Sequence, residues 1–376
     1  MGHGGTPGAV SGGRGWPLVV RRATPDDELQ VMAFASHTWD GWDYLPRAWP
    51  RWIDAADGVL LVGAVGGDGA TGTDGRPLAR DSVVAVVRVA VPAPGEGWLE
   101  GIRVAPRVRG MGVATDLQVA ELHWAAANGA RIVRYATGAR NEGSMRLGRR
   151  GGFELIARFG GLSWDPPEAQ DDESDDESGF HPHVQAQATL GRRAVLAALE
   201  DEGLIGRAAL GDGKGTWGLI INDASFNAGA RLYEPRPWAL EELTEAKFQR
   251  HLSAGEVIFR RTSDRNEALA ILVADLAPAE DAQLRLAMLA GEPRAAFELV
   301  EHVREMAGSG IRFRFAEDGP LVAGVAHLYR EAGYAFGEWP LHVMARSLDA
   351  ANPLPRTDPA AVILADRPSA LITPAR

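Results

Sequence analysis

A strand-like run, a turn with two glycines and an amphipathic segment meet at Val104-Ala105-Pro106-Arg107-Val108-Arg109-Gly110-Met111-Gly112-Val113-Ala114. Glycine tolerates positive φ and lets the backbone come close to a ligand. Backbone N–H groups at the start of a helix converge on one point, where the helix dipole favours negative charge. Arg107 and Arg109 add mobile positive charge. Those residue types in that order suit a pyrophosphate. The dinucleotide fingerprint does not fit, because Thr115 stands at the third glycine position and no acidic ribose reader is evident. A nucleotide P-loop would need a Gly-Lys-Ser/Thr run, which is absent here.

Two further groups carry chemistry. Glu100 lies in a strand-like stretch between Trp98 and Ile102. An amine is a nucleophile only when neutral, and a carboxylate with apolar neighbours can be tuned as its general base. Period-two alternation would put Glu100 on the same strand face as Ile102; the bland alternative is an exposed strand residue or a partner for Arg103. The second group is His37-Thr38-Trp39-Asp40-Gly41-Trp42-Asp43-Tyr44-Leu45-Pro46, with Trp49 and Trp52 after it. Aromatic faces beside two carboxylates suit a cationic amine, although tryptophans at such spacing also serve as core.

The elements that must hold these residues are set by periodicity and punctuation. Residues 18–22 read as a strand and Thr24-Pro25 as a helix start. Strands are expected at 58–65, 81–91 and 98–104, the first two joined by a Gly/Asp-rich excursion over 66–75. Val113, Leu117, Ala120 and Trp124 recur at helical spacing, and Gly129 sits where a C-terminal cap belongs. A strand at 132–137, a helix at 141–150 and a strand at 153–164 complete a mixed α/β domain. The later chain repeats the grammar weakly. Helices are expected at 185–199, 294–306 and 322–332, with strands at 218–222, 257–261, 269–274, 311–315 and 341–346. Leu328-Tyr329 to Gly333-Tyr334 occupies the place of Leu147-Gly148 to Gly152-Phe153, as a diverged tandem duplication would.

The 376 residues, 45% apolar and 24% charged, describe a globular protein of two domains. A net charge of −11 argues against a nucleic-acid or anionic-membrane binder, so any anion must meet a local basic patch. With no cysteine, disulfides and thiolate metal sites are excluded. No stretch has the length and apolarity of a membrane span or a signal peptide, and the cytoplasm is the default compartment. The expected plan is a tail over 1–15, a catalytic domain over 16–165, an acidic linker over 166–184, a second domain over 185–350 and a tail over 351–376. His181 and His183 read as linker histidines, and no metal is expected.

The 104–114 segment resembles the CoA pyrophosphate loop of the GNAT superfamily, Arg/Gln-x-x-Gly-x-Gly/Ala, met as Arg107 to Gly112. A second signature of that family is similar to Asn141-x-x-Ser144 with Leu147 and Gly152-Phe153. The resemblance implies tandem GNAT folds, each a mixed, mostly antiparallel sheet flanked by helices in the α/β (α+β) class, with a degenerate second copy. It implies acetyl-CoA as cosubstrate, its pantetheine arm on the backbone of Ile102 and Val104. The pyrophosphate would lie on the amides from Arg109 through Gly110, Met111, Gly112 and Val113 to Ala114. Asn141 and Ser144 would stand near the thioester, and Arg146 or Arg149 near the 3′-phosphate. It further implies direct attack by the amine, with Glu100 at the family's acidic position. The proton donor that many relatives supply as Tyr is replaced by Gly148. Ser144, Tyr135, Tyr44 or water remain as substitutes.

Asp43-Tyr44-Leu45-Pro46 together with residues 99–106 is similar to the superfamily branch that contains histidine N-acetyltransferase. The implied acceptor is an amino acid or other small amine, held by Trp39, Asp40, Trp42, Asp43 and Tyr44. A non-catalytic acyl-CoA sensor and a protein or peptide N-acetyltransferase are the alternatives.

Overall fold

The computed structural model describes residues 15–36, 38, 43–165, 205–208, 213–261, 265–273, 284–307, 310–338, 340–355 and 362–364. The chain forms two compact units. The first comprises residues 1–135, 142–154 and 344–376, and the second comprises 136–141 and 155–343.

In the first unit β1 (Leu18–Arg22) leads through a capped turn at Pro25–Asp27 into α1 (Glu28–Ala35) and α2 (Leu45–Trp52). Then come β2 (Gly58–Val65), β3 (Val83–Ala93) and β4 (Glu96–Val104), which pair antiparallel in succession. Every residue of β2 is buried, because both faces of the sheet are covered. Leu60, Val62, Val83 and Val86 pack against Val31, Ala35, Leu45 and Trp49 of the first two helices. The opposite face is covered by α3 (Val113–Ala127), whose Leu117, Ala120 and Trp124 are buried as their spacing predicts. After Gly129, at φ +84°, the chain enters β5 (Ile132–Gly138), and α4 (Glu142–Arg150) comes next.

One irregularity decides which side chains share a face of β4. Arg88 of β3 pairs with Glu100 but Val86 pairs with Arg103, so β4 carries one extra residue there. Gly101, at φ +73°, absorbs it. The bulge resets the alternation: Glu100 and Arg103 share a face, and Glu100 and Ile102 do not. The same-face expectation for Glu100 and Ile102 is therefore corrected.

The second unit contains β6 (Glu154–Trp164), β7 (Ile205–Arg207), α5 (Gly213–Asn222), α6 (Ala224–Ala228), β8 (Leu232–Arg236), β9 (Ala239–Glu242) and α7 (Glu245–Ser253). Next are β10 (Val257–Arg261), β11 (Asn266–Val273), β12 (Leu284–Gly291), α8 (Pro293–Ala307), β13 (Ile311–Ala316), α9 (Pro320–Ala323), α10 (Ala326–Glu331) and β14 (Ala335–Phe336). Its sheet runs β6-β13-β12-β11-β10-β7. A parallel crossover β12–α8–β13 matches β4–α3–β5 in the first unit.

Some expectations give way. Residues 218–222 are helical: the Trp217 ring stacks on Phe248 and Ile220 is fully buried, so helical spacing overrides the β-branched run. The helix expected over 322–332 is two short ones that part at Gly324. Residues 1–14 of the tail expected over 1–15, the acidic linker and the helix at 185–199 lie outside the described residues.

The C-terminal segment is more than a tail. After β15 (Leu341–Ser347), β16 (Val362–Leu364) pairs parallel with β1. The buried Arg346 guanidinium donates to the carbonyls of Gly151, Asn352 and Pro353, the last at 2.7 Å. Hydrogen bonds from a charged donor contribute about 1.5–3 kcal/mol each, and unpaired buried carbonyls add a cost. Arg346→Ala should therefore lower stability by about 2–3 kcal/mol, read as a shift of the urea midpoint with unchanged slope.

Candidate active site

The site grows from the way two strands separate. β4 and β5 are paired in parallel at Glu96/Ile132, Gly97/Val133 and Trp98/Arg134, and their pairing ends there. From Leu99 to Val104 the edge of β4 that faces β5 is left without a strand, while its other edge stays bonded to β3. No strand meets this stretch on the β5 side, and its Ile102 and Val104 carbonyls accept from Arg103 Nη1 at 2.9 Å and Arg109 Nε at 3.1 Å. The opening is a slot for an extended chain with amides of its own.

At the end of that edge a turn at Pro106–Val108 is anchored by the fully buried Val108. Gly110 and Gly112 come next at φ +79° and +82°, and Gly112 is the N-cap of α3 with no side-chain cap bond. The first intrahelical bond runs from the Asp116 amide to the Gly112 carbonyl at 3.1 Å. The amides of Val113, Ala114 and Thr115 thus precede the ladder and point out of the helix end. A Cβ on Gly110 would meet open space, so this approach is clear.

The two arginines behave differently. Arg109 is exposed and its Nε donates to the Val104 carbonyl at 3.1 Å, which keeps its charge at the mouth of the slot. Arg107 is not the mobile cation expected from the sequence. Its Nε bonds Asp74 at 2.9 Å, its Nη2 donates to the Arg76 carbonyl at 3.0 Å, and its own carbonyl accepts from Thr73 N at 2.7 Å. The guanidinium holds the Asp74 carboxyl below its usual range. Arg107 thereby ties the excursion between β2 and β3 to the glycine turn.

On the α1/α2 face Glu100 meets the buried Arg88, which also bonds Asp57 at 2.7 Å. Arg88 lies 5.4 Å from the centroid of Trp52, and a Cβ on Gly101 would come within 2.6 Å of that ring. Trp52 thus depends on the glycine at the bulge. Arg103 clasps Asp43 with Nε at 2.6 Å and Nη2 at 3.0 Å, and lies 5.1 Å from the centroid of Tyr44. Burial works against the Arg103 charge, but Asp43 outweighs it and holds the guanidinium more firmly protonated. The Asp43 side chain is 0% exposed and also accepts from Leu45 N at 2.9 Å. Its expected direct contact with an amine is corrected: it is enclosed, and it positions Arg103. Tyr44 is 43% exposed, edge-on to Trp52 at 5.8 Å. The surrounding protein, with Glu100 and Asp43, raises its phenol against the pull of Arg103. Trp39, Asp40 and Trp42 lie outside the described residues.

The profile of the Acetyltransferase (GNAT) family matches residues 28–153. Residues 28–153 form a GNAT acetyltransferase domain. Enzymes of this family use acetyl-CoA. Over 93 residues the chain is 32% identical to histidine N-acetyltransferases of Oreochromis niloticus and Scomber australasicus. That match takes in 24% of this chain and 23% of each relative, so the chain matches less than a quarter of their length. A GCN5-related N-acetyltransferase from Sphaerobacter thermophilus shares the fold at TM-score 0.50 and 12% identity, over 88% of this chain and 95% of that one. A glucosamine N-acetyltransferase region of a fungal β-N-acetylglucosaminidase does so at TM-score 0.51 and 14%, over 88% of this chain and 38% of that one.

In the GNAT domain Tyr135 is the first β5 residue past the paired stretch. Its hydroxyl donates to the Ser144 carbonyl of α4 at 3.1 Å, and burial pushes its phenol up to about 12. Gly148 is what admits it. A Cβ there would overlap the hydroxyl and lie 2.8 Å from Cζ. Ser144 is half-buried and Arg149 exposed on α4, and Asn141 directly precedes that helix. In the second unit the matching helix start is filled from within. Asp223 accepts from Gly291 N at 2.9 Å, and Pro293 has no amide to offer.

Gly148→Ala should cost about 2 kcal/mol through overpacking, and Tyr135→Phe in the same chain should recover a large part of it. A double-mutant cycle by chemical denaturation reads the coupling; additive losses would mean that the two residues do not share this space.

Proposed function

We propose that the first unit transfers an acetyl group from acetyl-CoA to the amine of a small molecule or amino acid by direct attack. The observation that carries this reading is the slot left by β4 and β5, ending on the bare N-terminus of α3. The pantetheine arm pairs with Ile102 and Val104, and the pyrophosphate takes the amides of Gly110, Gly112, Val113 and Ala114, with Arg109 beside them, while the Met111 amide is held by the Val108 carbonyl. Ser144 and Asn141 border the thioester end, and Arg149 the phosphate end. Glu100 accepts the proton that the neutral amine's nitrogen loses as it attacks, with Arg88 holding its Oε1 in place. Tyr44 and Trp52 line the acceptor's approach, and Trp39, Asp40 and Trp42 complete it. The likeness to histidine N-acetyltransferases over a quarter of the chain supports an amino-acid-sized acceptor. The second unit holds no CoA. No helix among the described residues is long and apolar enough to cross a membrane, and the reading is of a cytoplasmic enzyme.

The second reading is a non-catalytic acyl-CoA sensor, favoured by the pairing of Glu100 with Arg88. Thiol release, monitored with DTNB over a panel of amines and amino acids, separates the two. An acetyltransferase turns over at least one amine, and Glu100→Gln lowers that turnover by about 10²-fold or more while acetyl-CoA affinity stays within about twofold. Tight acetyl-CoA binding with no turnover on any amine would establish the sensor instead. Gly112→Val tests the loop. The left-handed conformation at the N-cap forbids a β-branched side chain, so acetyl-CoA affinity measured by calorimetry should fall at least tenfold.

A further inference from the structure

The buried face of α3 contains one residue that packing does not explain. Glu121 is 2% exposed, and its Oε1 has no hydrogen-bond partner among the described residues. The neighbouring contacts place it. The Ala125 Cβ lies 3.5 Å from where a Cβ on Gly97 would be, and Val133 Cγ2 lies 3.0 Å from the same point. Ala125 therefore sits under the paired residues Gly97 and Val133. The helix runs antiparallel to both strands, since it comes after β4 and precedes β5. Four residues back along it is about 6 Å, which is roughly two strand residues. Glu121 is thus level with Leu99 and Tyr135, the first residues beyond the last pair. One turn further, the Gln118 Cδ lies 2.9 Å from where a Cβ on Gly151 would be. The stripe Gln118, Glu121, Ala125 tracks the seam, and Glu121 lies beneath the point where it opens.

Among the described residues no cation offsets this burial. Desolvation holds the Glu121 proton well above the usual carboxylate range, and Glu100 on β4 is the charged group whose field adds to it. The duplicated helix offers a contrast. Glu301 is the ninth residue of α8 as Glu121 is of α3, but Arg304 bonds Glu301 at 2.6 Å where α3 has Trp124. The first unit keeps the acid and omits its cation.

We propose that Glu121 is the proton donor to the departing CoA thiolate, acting from beneath the opening between β4 and β5. The role rests on the acetyl-transfer reading. The amine nitrogen bonds the acyl carbon and the carbon–sulfur bond breaks. The attacking amine is neutral; the proton that its nitrogen loses passes to Glu100, and the Glu121 proton passes to sulfur. After CoA leaves as the thiol, solvent carries a proton from Glu100 to Glu121 and restores both. Tyr135 does not compete for this role, because its hydroxyl donates to Ser144.

Glu121→Gln preserves shape and tests the proton. The expected kcat loss on the best amine found is about 10²-fold, with acetyl-CoA affinity within about twofold and the alkaline fall of kcat abolished. Stability gives a readout apart from activity. The folded carboxyl keeps a proton that the unfolded chain releases in the ordinary carboxylate range, so wild-type stability should fall relative to Glu121→Gln as pH rises above that range. Glu121→Leu should retain acetyl-CoA binding and lose kcat alike. Full kcat with the alkaline limb intact in Glu121→Gln, or a pH-independent stability difference, overturns the proposal alone. A wild type that acetylates no amine refutes it together with the transfer reading.

Discussion

The decisive constraint is the separation of two parallel strands after only three paired positions. Sheet backbone must find partners, and from Leu99 to Val104 β4 has a strand on the β3 side only. Everything around the site is arranged to keep the other edge open. Val108 pins the turn at its end, Arg107 ties that turn to the excursion between β2 and β3, and Tyr135 leans away into the space left by Gly148. The bulge at Gly101 then sets Glu100 and Arg103 on one face of a strand whose β5-side edge has no strand beyond Trp98.

The second unit shows what the same topology does when the opening is not maintained. Its helix begins with Pro293, and Gly291 gives its amide to Asp223. An internal carboxylate already stands near the end of α8, where the first unit leaves α3 uncapped. The half-buried Glu301 is likewise paired, by Arg304. The start of that helix is thus met by the second unit's own side chains.

How much of this was legible in the sequence depended on how local the cause was. The glycine turn and α3 could be read because glycine, proline and helical spacing act over a few residues. The bulge at Gly101 could not, since one extra strand residue appears only against the register of β3. That hidden residue misplaced Glu100 relative to Ile102. The roles of Arg107 and Asp43 were missed for a related reason: their partners, Asp74 and Arg103, are 33 and 60 residues away in the chain. Gly148 was noticed as a missing tyrosine, but only Tyr135 in place explains why a glycine is needed. Trp52 had a signal in retrospect, a glycine in a strand, which often marks close approach of another group.

Charge separates the two sides of β4. On the acceptor side Arg88 and Arg103 face Glu100, Asp57 and Asp43, two cations against three carboxylates, a net of 2 − 3 = −1. On the other side stand the helix N-terminus and Arg109. A cationic amine and an anionic cofactor would thus be drawn to opposite sides of the same strand. Both guanidiniums are fixed by their carboxylates and stacked on Trp52 and Tyr44, so the field is set before any ligand arrives. A negative acceptor side attracts an ammonium but also holds its proton, so attraction alone would stall the nucleophile. On the proposed transfer reading, a carboxylate at the bulge would resolve that conflict, because the group that attracts the cation would also take its proton.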